Sequence, residues 1–139
     1  MQIVALLPLA GIETLFLLDA SAALALIFEE PGAEYVAAVL GDAKIGSVNL
    51  AEVVAKQYDR DVSARDIALN LAALDVGVLP FDHRMAVRSG ELRSITRQFG
   101  LSLGDRSCLA MAEILGLTVL TADRAWLSIG LGVAIEVVR

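Results

Sequence analysis

Short apolar runs alternate with helical stretches along most of this chain, and that alternation leaves few folds open. Leu15 to Leu18, Lys44 to Val48, Val78 to Phe81, Thr118 to Leu120 and Val133 to Val138 read as strands. Helical patterns fill the intervals: Ser21 to Phe28, Ala33 to Leu40, Asn49 to about Tyr58, Ser63 to Leu74, Arg84 to Phe99, Gly104-Asp105 to Leu115, and a short turn over Arg124 to Ile129. Glu29-Glu30-Pro31-Gly32, Gly77 and Gly116 stand where helices should stop. Asn49 with Glu52 three residues on has the form of a capping box, and Ser63 that of an N-cap. Ser89-Gly90 should weaken the helix that contains it. Strands that alternate with helices predict an α/β fold in three layers, α/β/α, around a mostly parallel sheet of four to five strands.

Four acids fall at informative points of this pattern. Asp19, Glu52, Asp105 and Asp123 each follow an apolar run or sit in the first turn of the next helix. In a parallel sheet those points share one edge, where such folds bind ligands. Each acid alone has a plainer explanation as a helix cap, a contribution of about 1 kcal/mol. Four on one edge require four coincidences if they are only caps, and a single cause if they hold a cation. A hard divalent ion with oxygen ligands, Mg²⁺ or Mn²⁺, suits carboxylates. It would support attack on a phosphodiester. The hydroxyls of Ser21 and Thr121, two residues from Asp19 and Asp123, could orient a carboxylate or a water on the ion, or only satisfy local backbone groups.

Composition narrows the chemistry. One cysteine (Cys108) and one histidine (His83) exclude an internal disulfide and a conventional zinc site, and suit a reducing cytoplasm. His83 is expected to lie far from the acids, and Cys108 to pack inward. The apolar stretch Met1 to Phe28 resembles a membrane segment, but Pro8, Glu13 and Asp19 interrupt it, so no membrane association is expected. With 139 residues, 57% of them hydrophobic, one domain can bury its own core. Met1 to Glu13 reads as an N-terminal extension ahead of a domain over 14–139. A net charge of −6 argues against broad, charge-driven binding to nucleic acid, although the metal-binding acids are part of that count. Arg106 and Arg124, beside Asp105 and Asp123, are the basic residues nearest the proposed site. The other arginines of the middle third read mainly as solvated helix surface.

Several functions find no support. An Asp-x-Asp phosphatase would need a second aspartate where Ser21 stands, and a receiver domain would need a late lysine. A dinucleotide-binding module would need Gly-x-Gly-x-x-Gly after a strand.

Four segments in register resemble the PIN-domain ribonucleases, and within them the VapC-type toxins of toxin–antitoxin pairs. They are Leu17 to Ala22, Ser47 to Val53, Gly100 to Ala110 and Val119 to Trp126, with Pro80-Phe81-Asp82 similar to the family's third-strand segment. The resemblance runs from about Leu15 to the C-terminus. Asp19 matches the first-strand aspartate, Glu52 the glutamate of an Asn-x-x-Glu helix that opens at Asn49, Asp105 the Gly-Asp helix start and Asp123 the Thr-x-Asp turn. The extension departs from the family, whose members usually begin at the first strand. The resemblance implies a PIN-like fold, a Mg²⁺ or Mn²⁺ cofactor, endonucleolytic cleavage of RNA, a homodimer and a small VapB-like antitoxin. Arg106 and Arg124 would then contact RNA or that antitoxin. Mean hydropathy of +0.69 fits either a rich core or apolar faces left for a partner. A PIN nuclease of RNA processing without an antitoxin, and a PIN-fold binding module without catalysis, are the alternatives.

Overall fold

The computed structural model describes residues 15–139, and the extension expected over Met1 to Glu13 lies outside them. Five strands form one sheet: β1 (Phe16–Leu18), β2 (Ala43–Gly46), β3 (Gly77–Leu79), β4 (Thr118–Thr121) and β5 (Ile135–Val137). Their order is β3-β2-β1-β4-β5, and every neighbouring pair is parallel. Six α-helices cover it: α1 (Ala20–Ile27), α2 (Ala33–Val39), α3 (Ser47–Asp59), α4 (Ala64–Leu74), α5 (His83–Thr96) and α6 (Leu103–Leu115). The fold is the expected three-layer α/β/α arrangement.

Alternation of side chains along each strand builds two cores from one sheet. Leu17 and Val119 join Leu92 of α5, Leu109 and Met111 of α6, and Trp126 on one face. Leu18, Ile45 and Leu120, which pair in register across β2, β1 and β4, join Leu24 of α1, Val36 of α2 and Val53 of α3 on the other. With both faces buried, β1 is apolar at every position and reads in the sequence as an unbroken run.

The topology creates one crevice. The chain moves outward from β1 through β2 to β3, then returns to the other side of β1 with β4. The order reverses between the carboxyl ends of β1 and β4, the position where open parallel sheets bind ligands. Asp19 follows β1 there and Asp123 follows β4.

Two expectations about helices need correction. α3 starts at Ser47, directly after Gly46, and no side chain caps it. Asn49 is therefore inside the helix, and Asn49 with Glu52 is not a capping box. The cause is tertiary: the Ser47 hydroxyl accepts the Phe81 N–H at 3.1 Å, and the Asn49 amide is committed elsewhere. α5 also runs unbroken through Ser89-Gly90, where Ser89 is buried and its carbonyl accepts from Arg106 of α6 at 3.0 Å. Its N-cap is Asp82, whose carboxylate accepts the Met85 N–H at 2.9 Å.

Candidate metal centre

Asp19 is the floor of the site. It leaves β1 with its N–H bonded to the Leu120 carbonyl and caps α1. Three donors hold its carboxylate: the Ala22 N–H at 2.8 Å and the Ser21 hydroxyl at 2.7 Å on Oδ1, and the Thr121 hydroxyl at 2.6 Å on Oδ2. The side chain is only 4% exposed. Burial raises its pKa from 3.8 to about 6 against the opposing hydrogen bonds from Thr121, Ala22 and Ser21, and the charge of Asp105 adds to the rise.

Glu52 reaches the site from the second turn of α3. Asn49, itself buried, donates from Nδ2 to Glu52 Oε1 at 2.8 Å and to the Gly104 carbonyl at 3.2 Å. One amide thus ties α3 to the first turn of α6. Gly104 has no alternative residue at this point, because a Cβ there would overlap the Glu52 carboxylate.

Asp105 is the third residue of α6 and the acidic half of a capping box with Ser102. Its Oδ2 accepts the Ser102 N–H at 3.0 Å, while its own N–H donates to the Ser102 hydroxyl at 3.1 Å. Asp123 is exposed. Its Oδ1 accepts the Ala125 N–H at 2.9 Å, capping the 3₁₀ turn Arg124–Ser128. Its N–H donates to the Thr121 hydroxyl at 3.1 Å, so Thr121 links the backbone of Asp123 to the carboxylate of Asp19. Three of the four acids, Asp19, Asp105 and Asp123, serve as caps or first-turn acids, and all four keep carboxylate lone pairs beyond their hydrogen bonds.

The charges of Asp19, Asp105 and Glu52 all bear on the thiol of Cys108, which is 1% exposed beneath them. Among the described residues none of the four acids has an ion-pair partner. Nor do any three His, Cys, Asp or Glu side chains among the described residues stand close enough to form a ready-made ion cage. The donor chemistry suits a hard cation: two hydroxyls bind the buried Asp19 carboxylate, the charge of Asp105 bears on it, and among the described residues it is in no ion pair. His83 is exposed in the first turn of α5, and no hydrogen bond or ion pair joins it to the four acids among the described residues.

A family model described as PIN domain matches residues 16–130. The chain belongs to the PIN-domain family.

Solved structures repeat this PIN fold. VapBC from Salmonella typhimurium bound to DNA is 23% identical, with a TM-score of 0.66 over 90% of this chain and 98% of that one. A toxin–antitoxin complex from Klebsiella pneumoniae is 19% identical, with a TM-score of 0.68 over 88% and 97%. VapBC-5 from Mycobacterium tuberculosis is 23% identical, with a TM-score of 0.59 over 91% and 98%. Identities at this level carry the fold. No curated protein matches significantly by sequence.

Within this PIN domain the two arginines singled out from the sequence are committed elsewhere. Arg106 donates from Nη1 to the Ser89 carbonyl at 3.0 Å, stitching α6 to α5, and Arg124 donates to the Arg139 carbonyl at 3.0 Å. Burial, reinforced by Asp19, Asp105 and Glu52, pushes the Cys108 thiol well above its ordinary range, which leaves it inert. Gly104 and Ser102 were not foreseen. The pattern Ser102-Leu103-Gly104-Asp105 carried the Ser102 signal as a capping box. The need for glycine at 104 comes from Glu52, which is remote in the chain.

Among the described residues no helix is long and apolar enough to cross a membrane.

Proposed function

We propose that this PIN domain is a metal-dependent endoribonuclease of the VapC toxin type, held in check by a small VapB-like antitoxin. Family membership supports a nuclease, a hydrolase acting on nucleic acid. The observation that carries the finer reading is the buried Asp19 carboxylate, unneutralised by any basic side chain and joined by Glu52 and Asp105.

In this reading Asp19, Glu52, Asp105 and Asp123 are the ligands and the catalytic set. When bound, Mg²⁺, for which Mn²⁺ can substitute, neutralises charge on a phosphoryl oxygen and lowers the pKa of an attacking water. The chain's own work is orientation. Thr121, Ser21 and the Ala22 N–H aim the Asp19 carboxylate, Asn49 aims Glu52, and Ser102 aims Asp105. Helix N-termini at α1 and α6 offset part of the repulsion among the acids.

The partner side of the reading draws on the neighbours, several of which are VapBC complexes. Exposed Tyr35, Tyr58 and Leu69 offer apolar surface for an antitoxin or a second copy in a homodimer. The working unit is residues 14–139, with 1–13 as an extension ahead of it.

The deciding experiment incubates the purified protein with a panel of structured RNAs in Mg²⁺, in Mn²⁺ and in chelator, then repeats it with Asp19→Asn. Metal-dependent cleavage that falls by on the order of 100-fold or more in the variant is expected. Wild type and variant behaving alike across the panel would overturn the reading.

A further inference from the structure

We infer that Arg93 and Arg97 form a subsite for the phosphodiester backbone of the bound strand, next to the α6 start that carries Asp105. The inference rests on the nuclease reading above and adds to it the surface that grips the substrate.

Arg93 lies in the last turn of α5, and Arg97, four residues on, is its C-cap and opens the 3₁₀ turn Arg97–Phe99, so the two side chains follow one another along the end of the helix. Together with Gly100 and Leu101 they line a shallow pocket of about 190 Å³. Both are exposed, and among the described residues neither is in an ion pair. Arg60, Arg88 and Arg139 pair with glutamates and Arg106 and Arg124 bind carbonyls, while Arg65 and Arg84, also outside any ion pair among the described residues, do not line this pocket.

Position is the second argument. Leu101, a wall of the pocket, precedes Ser102, whose N–H donates to Asp105 Oδ2. The pocket therefore opens next to the helix start that carries one of the four acids. Gly100 turns the chain there with φ +64°, a left-handed conformation, and presents no side chain to the pocket. A strand bound at that helix start would offer its flanking phosphates to this wall. Guanidinium groups are matched to phosphate by their planar fork of donors.

Charge supplies the third argument. A protein of net charge −6 with a cluster of acids at its cutting edge repels a polyanion unless cations are placed locally. Two unpaired arginines at the rim supply that attraction where it is needed.

The test is fluorescence anisotropy with labelled single-stranded RNA and single-stranded DNA of one mixed sequence, in chelator and over a range of salt. Arg93→Gln/Arg97→Gln should weaken binding about tenfold and reduce the slope of log affinity against log salt by about 1.4, near 0.7 per phosphate contact. The charge-matched control Arg65→Gln/Arg84→Gln should keep the slope close to wild type. An equal loss on both oligonucleotides assigns the pocket to phosphate common to either strand, and a loss on one alone names that strand. A double variant that binds with wild-type affinity and slope, or loses no more than the control, overturns the inference while metal-dependent cleavage leaves the nuclease reading standing. A wild type that neither binds nor cleaves RNA or DNA overturns both.

Discussion

Gly104 of α6 lies against the carboxylate of Glu52 with no space for a side chain between them. Gly104→Ala would ordinarily favour a helix by up to about 1 kcal/mol. Here the added methyl must push Glu52 aside, and Asn49 resists because it binds both Glu52 and the Gly104 carbonyl. We expect Gly104→Ala to destabilise the protein by about 1–3 kcal/mol. Divalent-ion affinity should fall about 10- to 100-fold, as for a lost orienting group. Thermal melts and Mn²⁺ calorimetry check the two effects, and an alanine variant with wild-type Mn²⁺ affinity would remove Glu52 from the ligand set.

Asn49→Asp keeps the size of the side chain and deletes its donors. Two acceptors, Glu52 Oε1 and the Gly104 carbonyl, then face a third acceptor in a buried position. The expected cost is about 1–3 kcal/mol, the range for a buried acceptor left without its donor. Added Mn²⁺ should recover part of this, because a cation relieves the repulsion between residues 49 and 52. Chemical denaturation with and without Mn²⁺ measures it, and identical losses in the two conditions would show that no ion binds beside Glu52.

The division between what the sequence disclosed and what it hid follows the range of the forces involved. Asp19 and Asp123 cap the turns that follow their strands, and such caps act within three residues, so the ends of β1 and β4 were legible. β1 was legible because burial on both faces makes it apolar at every position, whereas the edge strands β3 and β5 are partly exposed and were legible from short apolar runs between helices. Asn49 was misjudged as a cap because its amide is used by Gly104, which is 55 residues away. The bond from Arg106 was hidden for the same reason, since α5 supplies the Ser89 carbonyl that accepts it. The groove of Arg93 and Arg97 exists only once Gly100 and Leu101 fold beside them, and no local pattern announces that.

Thr121→Val is a near-isosteric deletion of the hydroxyl that donates to Asp19 Oδ2 and accepts the Asp123 N–H. The Thr121 hydrogen bond lowers the Asp19 pKa, so its loss should raise that pKa above the wild-type value of about 6. The acidic limb of any metal-dependent activity should therefore move to higher pH in the variant. Activity at pH 6 should suffer more than activity at pH 8. A uniform loss at both values would make Thr121 only a structural residue.

Asp19 itself links stability, pH and metal. Its folded pKa of about 6 stands above its ordinary value of 3.8, so the folded, metal-free protein binds the proton more tightly than the unfolded chain. The stability contributed by protonation is complete below about 3.8 and is lost as pH rises through about 6. A gap of that size is worth on the order of 3 kcal/mol. Metal-free wild type should therefore lose stability between pH 4 and pH 7, and Asp19→Asn, which cannot ionise, should lose less over the same range. A cation reverses the balance because it binds the carboxylate form. Mn²⁺ affinity of the wild type should fall about tenfold per pH unit below about 6, as one proton competes for the site. Calorimetry at pH 5, 6 and 7 reads this slope. A flat profile would mean that Asp19 is not a ligand, whatever the cleavage assay reports.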